Sequence, residues 1–91
     1  MRYFVYIIKS EKDDKNYIGF TSDIKKRLEW HNAGKNVSTR YRIPFHLIYY
    51  KEFGNKASAM KYETWLKRQK GGIRIKKIIN TYSQSAEVAQ W

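Results

Sequence analysis

The chain has 91 residues and no cysteine, so a single small core must stand without disulfides or a thiolate zinc site, on three Trp, eight Tyr, four Phe and the aliphatics. Nineteen Lys and Arg against eight Asp and Glu give a net charge of +11 and a pI of about 10.0, a positive field that draws in polyanions. No apolar run approaches the roughly 20 residues of a bilayer span, and the opening segment is too short and too β-branched for a secretion signal. The expectation is a cytoplasmic protein whose partner is nucleic acid rather than membrane.

Residues 3–8 are aromatic or β-branched on both alternating faces, the pattern of a central strand covered on each side. A charged turn over residues 11–15 leads to a second strand over residues 16–20, and the two pair as a hairpin. Thr21 and Ser22 are candidate caps for a helix with Asp23 in its first turn. Ile24, Leu28 and His31 follow at helical spacing, and Ala33-Gly34 ends the element. The stretch from Lys35 to Arg42 is basic and aperiodic, a loop.

After Pro44 comes a third strand from Phe45 to Phe53, with Phe45, Leu47, Tyr49 and Phe53 alternating onto one face. Asn55 caps a second helix over residues 56–70, whose apolar line is Ala59, Met60 and Leu66. Gly71-Gly72 breaks it, and Ile75, Ile78 and Ile79 mark a third helix to Asn80. The order β-β-α-β-α-α makes an α+β fold, a small three-stranded antiparallel sheet flanked by helices. Residues 1–80 form the domain and residues 81–91 a loosely ordered tail.

Several residues fit a purely structural reading poorly. Glu63 falls in the apolar line of the second helix, where an unpaired carboxylate is costly. It is either one half of an internal ion pair or a metal ligand at the mouth of a cleft; a lone carboxylate beside phosphate and water suits Mg²⁺. Arg27 and His31 stand one helical turn apart, and guanidinium with imidazole is a pair that can hold and protonate a phosphate. Singly, each reads as a basic surface group and a hydrogen-bonded core histidine. Tyr6 and Tyr17 lie in the first two strands, where packing is the default. Gly19, inside the second strand, implies a bulge or a close approach.

Taken together, these residues resemble the GIY-YIG nuclease family. The first half of the signature falls at Val5-Tyr6-Ile7, without the family's glycine, and the second is intact as Tyr17-Ile18-Gly19. Arg27 and His31 match the family's Arg-x-x-x-His/Tyr arrangement on the following helix, and Glu63 stands where a later helix presents a metal-binding glutamate. The segment from Arg27 to Lys35 looks like the small stand-alone bacterial branch. Some members carry a lysine directly after the second half, where this chain has Phe20.

The resemblance implies an endonuclease that hydrolyses phosphodiester bonds in DNA with one Mg²⁺ or Mn²⁺ ion held by Glu63. It implies that Arg27 clamps a phosphate oxygen, that Tyr17 takes a proton from water, and that Tyr6 and His31 orient that water or share the proton transfer. Lys35, Arg40, Arg42, Lys67, Arg68, Lys70 and Lys76 are the expected backbone contacts, giving affinity without base reading. The competing readings are a nucleic-acid-binding module that has lost the chemistry and a basic protein–protein adaptor with Trp30 or Trp65 at its contact patch.

Overall fold

Because strand β1 (Tyr3–Ser10) is apolar on both sides, it takes the middle of the sheet, in the order β2-β1-β3, with β2 spanning Asn16–Thr21 and β3 Phe45–Phe53. Val5, Tyr6, Ile7 and Ile8 are each at most 2 % exposed, so both faces of β1 are covered. The computed structural model describes residues 2–69 and 73–83. Both strand pairings are antiparallel, with Tyr6 opposite Gly19 on β2 and opposite Tyr50 on β3. Helices α1 (Ile24–Asn32), α2 (Lys56–Arg68) and α3 (Ile73–Ser83) complete the expected α+β order. Residues 81–83, expected in the tail, continue α3, and the rest of the expected tail, 84–91, together with Lys70 and the Gly71-Gly72 break, lies outside the described residues.

The two faces carry different clusters. On one, Val5, Ile7, Ile18 and Tyr49 pack with Ala59 and Leu66 of α2 and Ile75 of α3. On the other, Tyr6, Ile8 and Phe45 pack with Tyr17, Leu28 of α1, Leu47 and Tyr50. Each fully buried aliphatic side chain contributes roughly 1.5–3 kcal/mol. Val5, Ile7, Ile18, Leu66 and Ile75 are all buried in the first cluster and Ile8 alone in the second, so most of the aliphatic stabilisation lies with α2 and α3.

The single face expected for β3 is divided. The register steps from Ile7–Tyr49 to Ile8–Leu47, which leaves Ile48 as an extra residue, a bulge. Phe45 and Leu47 therefore face α1, whereas Tyr49 and Phe53 face α2 and α3. The apolar line of α2 also differs: Met60 is 45 % exposed, and the inward positions are Ala59, Tyr62, Glu63 and Leu66, at the 3–4 residue spacing of one helical face.

The cap of α1 is Asp23, one residue beyond the pair expected. Its extended backbone (φ −148°, ψ 99°) lets the carboxylate accept the Lys26 N–H at 3.1 Å. Thr21 instead accepts the Asp23 N–H at 3.2 Å, setting the approach to the cap. Asn55 caps α2 as expected, accepting the Ser58 N–H at 2.8 Å. Past α1, Gly34 adopts a left-handed φ of 76°, and the loop that follows contains one 3-10 turn, Arg40–Arg42. Asn32 at the end of α1 brackets the start of β3: its Nδ2 donates to the Phe45 carbonyl at 3.0 Å and its Oδ1 accepts the Phe45 N–H at 2.7 Å.

Candidate active site

The register of the hairpin brings the two signature tyrosines to one face. With Tyr6 opposite Gly19 and Ile8 opposite Tyr17, the phenol rings lie diagonally across β1 and β2, centroids 6.5 Å apart. Gly19 is there because Tyr6 lies over it. A Cβ at that position would stand 2.6 Å from the Tyr6 hydroxyl oxygen and 2.8 Å from its Cζ. The anticipated alternatives of bulge or close approach resolve as a close approach, within a regular β1–β2 register.

Helix α1 crosses the same face and presents Arg27 and His31 one turn apart. His31 is fully buried. Its Nε2 lies 3.1 Å from the Tyr6 hydroxyl and its Nδ1 3.1 Å from the hydroxyl of Thr39, a buried residue of the loop. Tyr17 and Trp30 meet the imidazole edge to face at 4.9 Å and 5.0 Å between centroids. Burial, and then the nearby Arg27 charge, lower the His31 pKa to about 4, so the ring is neutral at pH 7.

Arg27 lies over the Trp30 ring at 5.1 Å and is an electrostatic neighbour of the Tyr6 hydroxyl. Burial, reinforced by Tyr17, pushes the Tyr6 phenol well above its ordinary range. The nearby Arg27 guanidinium opposes the shift, and the Glu63 carboxylate adds to it. Tyr6 therefore enters any reaction as a neutral phenol. Beside Arg27 opens a cavity of about 360 Å³ lined by Thr21, Asp23, Lys26, Arg27 and Trp30.

Glu63 reaches this group from α2. Its side chain is 16 % exposed, and its Oε2 lies 3.5 Å from Lys67 Nζ, one helical turn on. Of the two anticipated readings the ion pair is present, with a half-exposed Lys67 rather than an internal partner, and the carboxylate is also an electrostatic neighbour of Tyr6. Among the described residues no group of three or more His, Cys, Asp or Glu gathers to hold a metal. A lone carboxylate completed by phosphate oxygens and water is the donor set that Mg²⁺ tolerates. The Lys67 ammonium shows that this carboxylate accepts a positive charge from where it stands.

The structure thus brings Tyr6, Tyr17, Arg27, His31 and Glu63 together, from four separate elements. The basic residues expected on nucleic acid do not gather in the same way. Lys35 and Arg40 are on the loop, Arg40 exposed and stacking on Tyr41 at 5.0 Å. Lys76 is exposed on α3, and Arg68 on the outer side of α2 with Met60 and Trp65. Lys67 is tied to Glu63.

Arg42 is a correction. Its Nε donates to Asp13 at 2.9 Å, its guanidinium lies over Phe45 at 5.5 Å, and its carbonyl accepts the Ser10 hydroxyl, so it fastens the hairpin loop to the fold. Sequence reasoning missed Thr39, which lies in an aperiodic segment with no pattern to mark it. Trp30, which the adaptor reading would set at a contact patch, is a wall of this site.

Comparison with known proteins places this arrangement in a class. The model of the GIY-YIG catalytic domain matches residues 2–83, and the chain belongs to the GIY-YIG nuclease family. The UPF0213 protein SpyM50708 of Streptococcus pyogenes serotype M5 (strain Manfredo) is 44 % identical over 68 residues, covering 74 % of this chain and 73 % of the relative. The UPF0213 protein SpyM3_1077 of the M3 serotype matches over the same length at the same identity. Among solved structures, the solution NMR structure of the UPF0213 protein BH0048 from Bacillus halodurans aligns with a TM-score of 0.55 and 30 % identity, over 97 % of this chain and 92 % of that one. Nucleic acid is the substrate class of the family, and its nucleases generally depend on a divalent metal.

Proposed function

We propose that this protein is an endonuclease that hydrolyses phosphodiester bonds in DNA with one Mg²⁺ or Mn²⁺ ion. The observation that carries the reading is the meeting of two phenols, a guanidinium, a neutral imidazole and one carboxylate on a strongly basic domain. A pure binding module has no use for a carboxylate that repels phosphate. Glu63 would hold the ion, which when bound supplies charge to the scissile phosphate and the leaving oxygen.

Arg27, braced on Trp30, clamps a non-bridging phosphate oxygen and offsets the charge that develops on it. Tyr17, acting as its phenolate, takes a proton from the attacking water, whose oxygen bonds to phosphorus as the P–O3′ bond breaks. The departing O3′ takes a proton from solvent water, leaving a 5′ phosphate and a 3′ hydroxyl. Tyr6 and His31 orient the reacting groups. Lys35, Arg40, Arg68 and Lys76 grip the backbone without reading bases, which favours selection by nucleic-acid structure over sequence.

Cleavage of labelled single-stranded, duplex, flapped and branched DNA in Mg²⁺, Mn²⁺ or EDTA tests the reading, with Glu63→Ala alongside. Metal-dependent cutting should fall at least about a hundredfold in the variant while binding persists. No cutting of any substrate, with equal binding by both proteins, would sink the assignment.

A further inference from the structure

A neutral imidazole has one N–H and one lone pair, so the roles of its two neighbours are linked. His31 meets a hydroxyl at each nitrogen, Tyr6 at Nε2 and Thr39 at Nδ1, both at 3.1 Å. Two proton arrangements satisfy these contacts. In one, the Tyr6 proton points at Nε2, and His31 stands ready to take it. In the other, Thr39 donates to Nδ1, and His31 donates from Nε2 to the Tyr6 oxygen.

The burial of Thr39 decides between them. It is 1 % exposed, and among the described residues the partner shown for its hydroxyl is His31 Nδ1 alone. A hydroxyl proton so enclosed must go to that lone pair or stay unsatisfied, and buried polar groups are found paired. The Tyr6 hydroxyl is as deeply buried, but its proton has a second direction to take. The Glu63 carboxylate is an electrostatic neighbour of the phenol and can accept, whereas the nearby Arg27 guanidinium can only donate.

We propose that Thr39 is a positioning residue, whose hydroxyl donates to His31 Nδ1 and so fixes the His31 proton on Nε2, where it donates to the Tyr6 oxygen. This rests on the nuclease reading for its kinetic consequence only. The Tyr6 oxygen then accepts from His31, and its own proton is left for Glu63 or the substrate. His31 is thereby an orienting group and not a proton acceptor for Tyr6. The loop gains a second role from this arrangement, because the segment that carries Lys35 and Arg40 is anchored through Thr39 to the centre of the site.

The test is the ¹⁵N spectrum of the two imidazoles in the whole protein at pH 7, with a His46→Gln variant for assignment, together with Thr39→Val and Thr39→Ser. His31 should be protonated at Nε2, with an Nδ1 resonance shifted by an accepted hydrogen bond. Thr39→Val should move Nδ1 toward the position of a free lone pair, and Thr39→Ser should hold it in place. In cleavage assays kcat should fall about tenfold in Thr39→Val with KM unchanged, and recover in Thr39→Ser. A wild-type His31 protonated at Nδ1, or an Nδ1 resonance unmoved in Thr39→Val, would overturn the hydrogen-bond order. A cleaving Thr39→Val enzyme with unchanged kcat would overturn the positioning role. If the spectra behave as stated and no variant or wild type cuts DNA, the tautomer assignment stands and the nuclease reading falls.

Discussion

The two faces of β1 differ in kind. Toward α2 and α3, Val5 and Ile7 enter a core of aliphatic and aromatic side chains that includes Ile18, Tyr49, Ala59, Leu66 and Ile75. Toward α1, Tyr6 and Ile8 enter a layer in which a buried imidazole and a buried threonine hydroxyl share the space. Neighbouring residues on one strand thus serve stability and chemistry in turn, because side chains alternate across a sheet. In so small a domain, polar groups on one face are tolerable only when the other face is thoroughly apolar.

The contrast is broken hardest by Leu66→Ala. Leu66 is fully buried on the apolar face, and truncation should destabilise by about 2–5 kcal/mol, read from urea denaturation. A loss under about 1 kcal/mol would mean that this face is not the main store of stability.

The polar face should reveal itself through pH. The His31 pKa falls from 6.5 to about 4 on folding, so between these values the unfolded chain binds more protons. The stability that comes from keeping His31 neutral is complete above pH 6.5 and is lost as pH falls toward 4, on the order of 3 kcal/mol across the window. Denaturant midpoints between pH 7 and pH 5 should show about 2 kcal/mol of this, a range chosen to stay above most carboxylate titration. A His31→Gln variant should lack that slope, and a wild-type profile flat over the range would contradict the buried neutral ring.

The smallest structural change is Gly19→Ala, and it separates the two functions most finely. The added methyl meets a phenol that is 2 % exposed and held by His31, so Tyr6 has to shift. The cost should be about 1–3 kcal/mol of stability, with cleavage lost out of proportion to it. A variant that cuts DNA at the wild-type rate would show that the position of Tyr6 matters less than its place in the cluster suggests.

Much of this was legible in the residues themselves. The doubly apolar run of β1 fixed its central position, the cap and periodicity of α1 put Arg27 and His31 on one face, and Glu63 stood out as a carboxylate on an inward line. What escaped depended on three-dimensional registration. A bulge leaves no mark within the apolar run from Leu47 to Tyr50, so Tyr49 and Phe53 are expected beside Phe45. Three adjacent residues able to cap α1 differ only in backbone angles, and Asp23 prevailed. Thr39 sits in an aperiodic loop, where nothing distinguishes a buried hydroxyl from a solvated one. Among nineteen basic residues, charge alone cannot separate Arg42, committed to Asp13, from an exposed Arg40.

The extra residue at Ile48 gives β3 two reading frames. Before it, odd-numbered side chains look toward α1; after it, Tyr50 does so while Tyr49 and Phe53 look away. One inserted residue therefore acts as a parity switch that serves opposite layers with a single strand. Deleting Ile48 would leave Tyr49 opposite Ile7 and Tyr50 opposite Tyr6, whereas pairing it as a regular strand residue would transpose every downstream position, sending Tyr49 among the polar groups and Tyr50 into the oil.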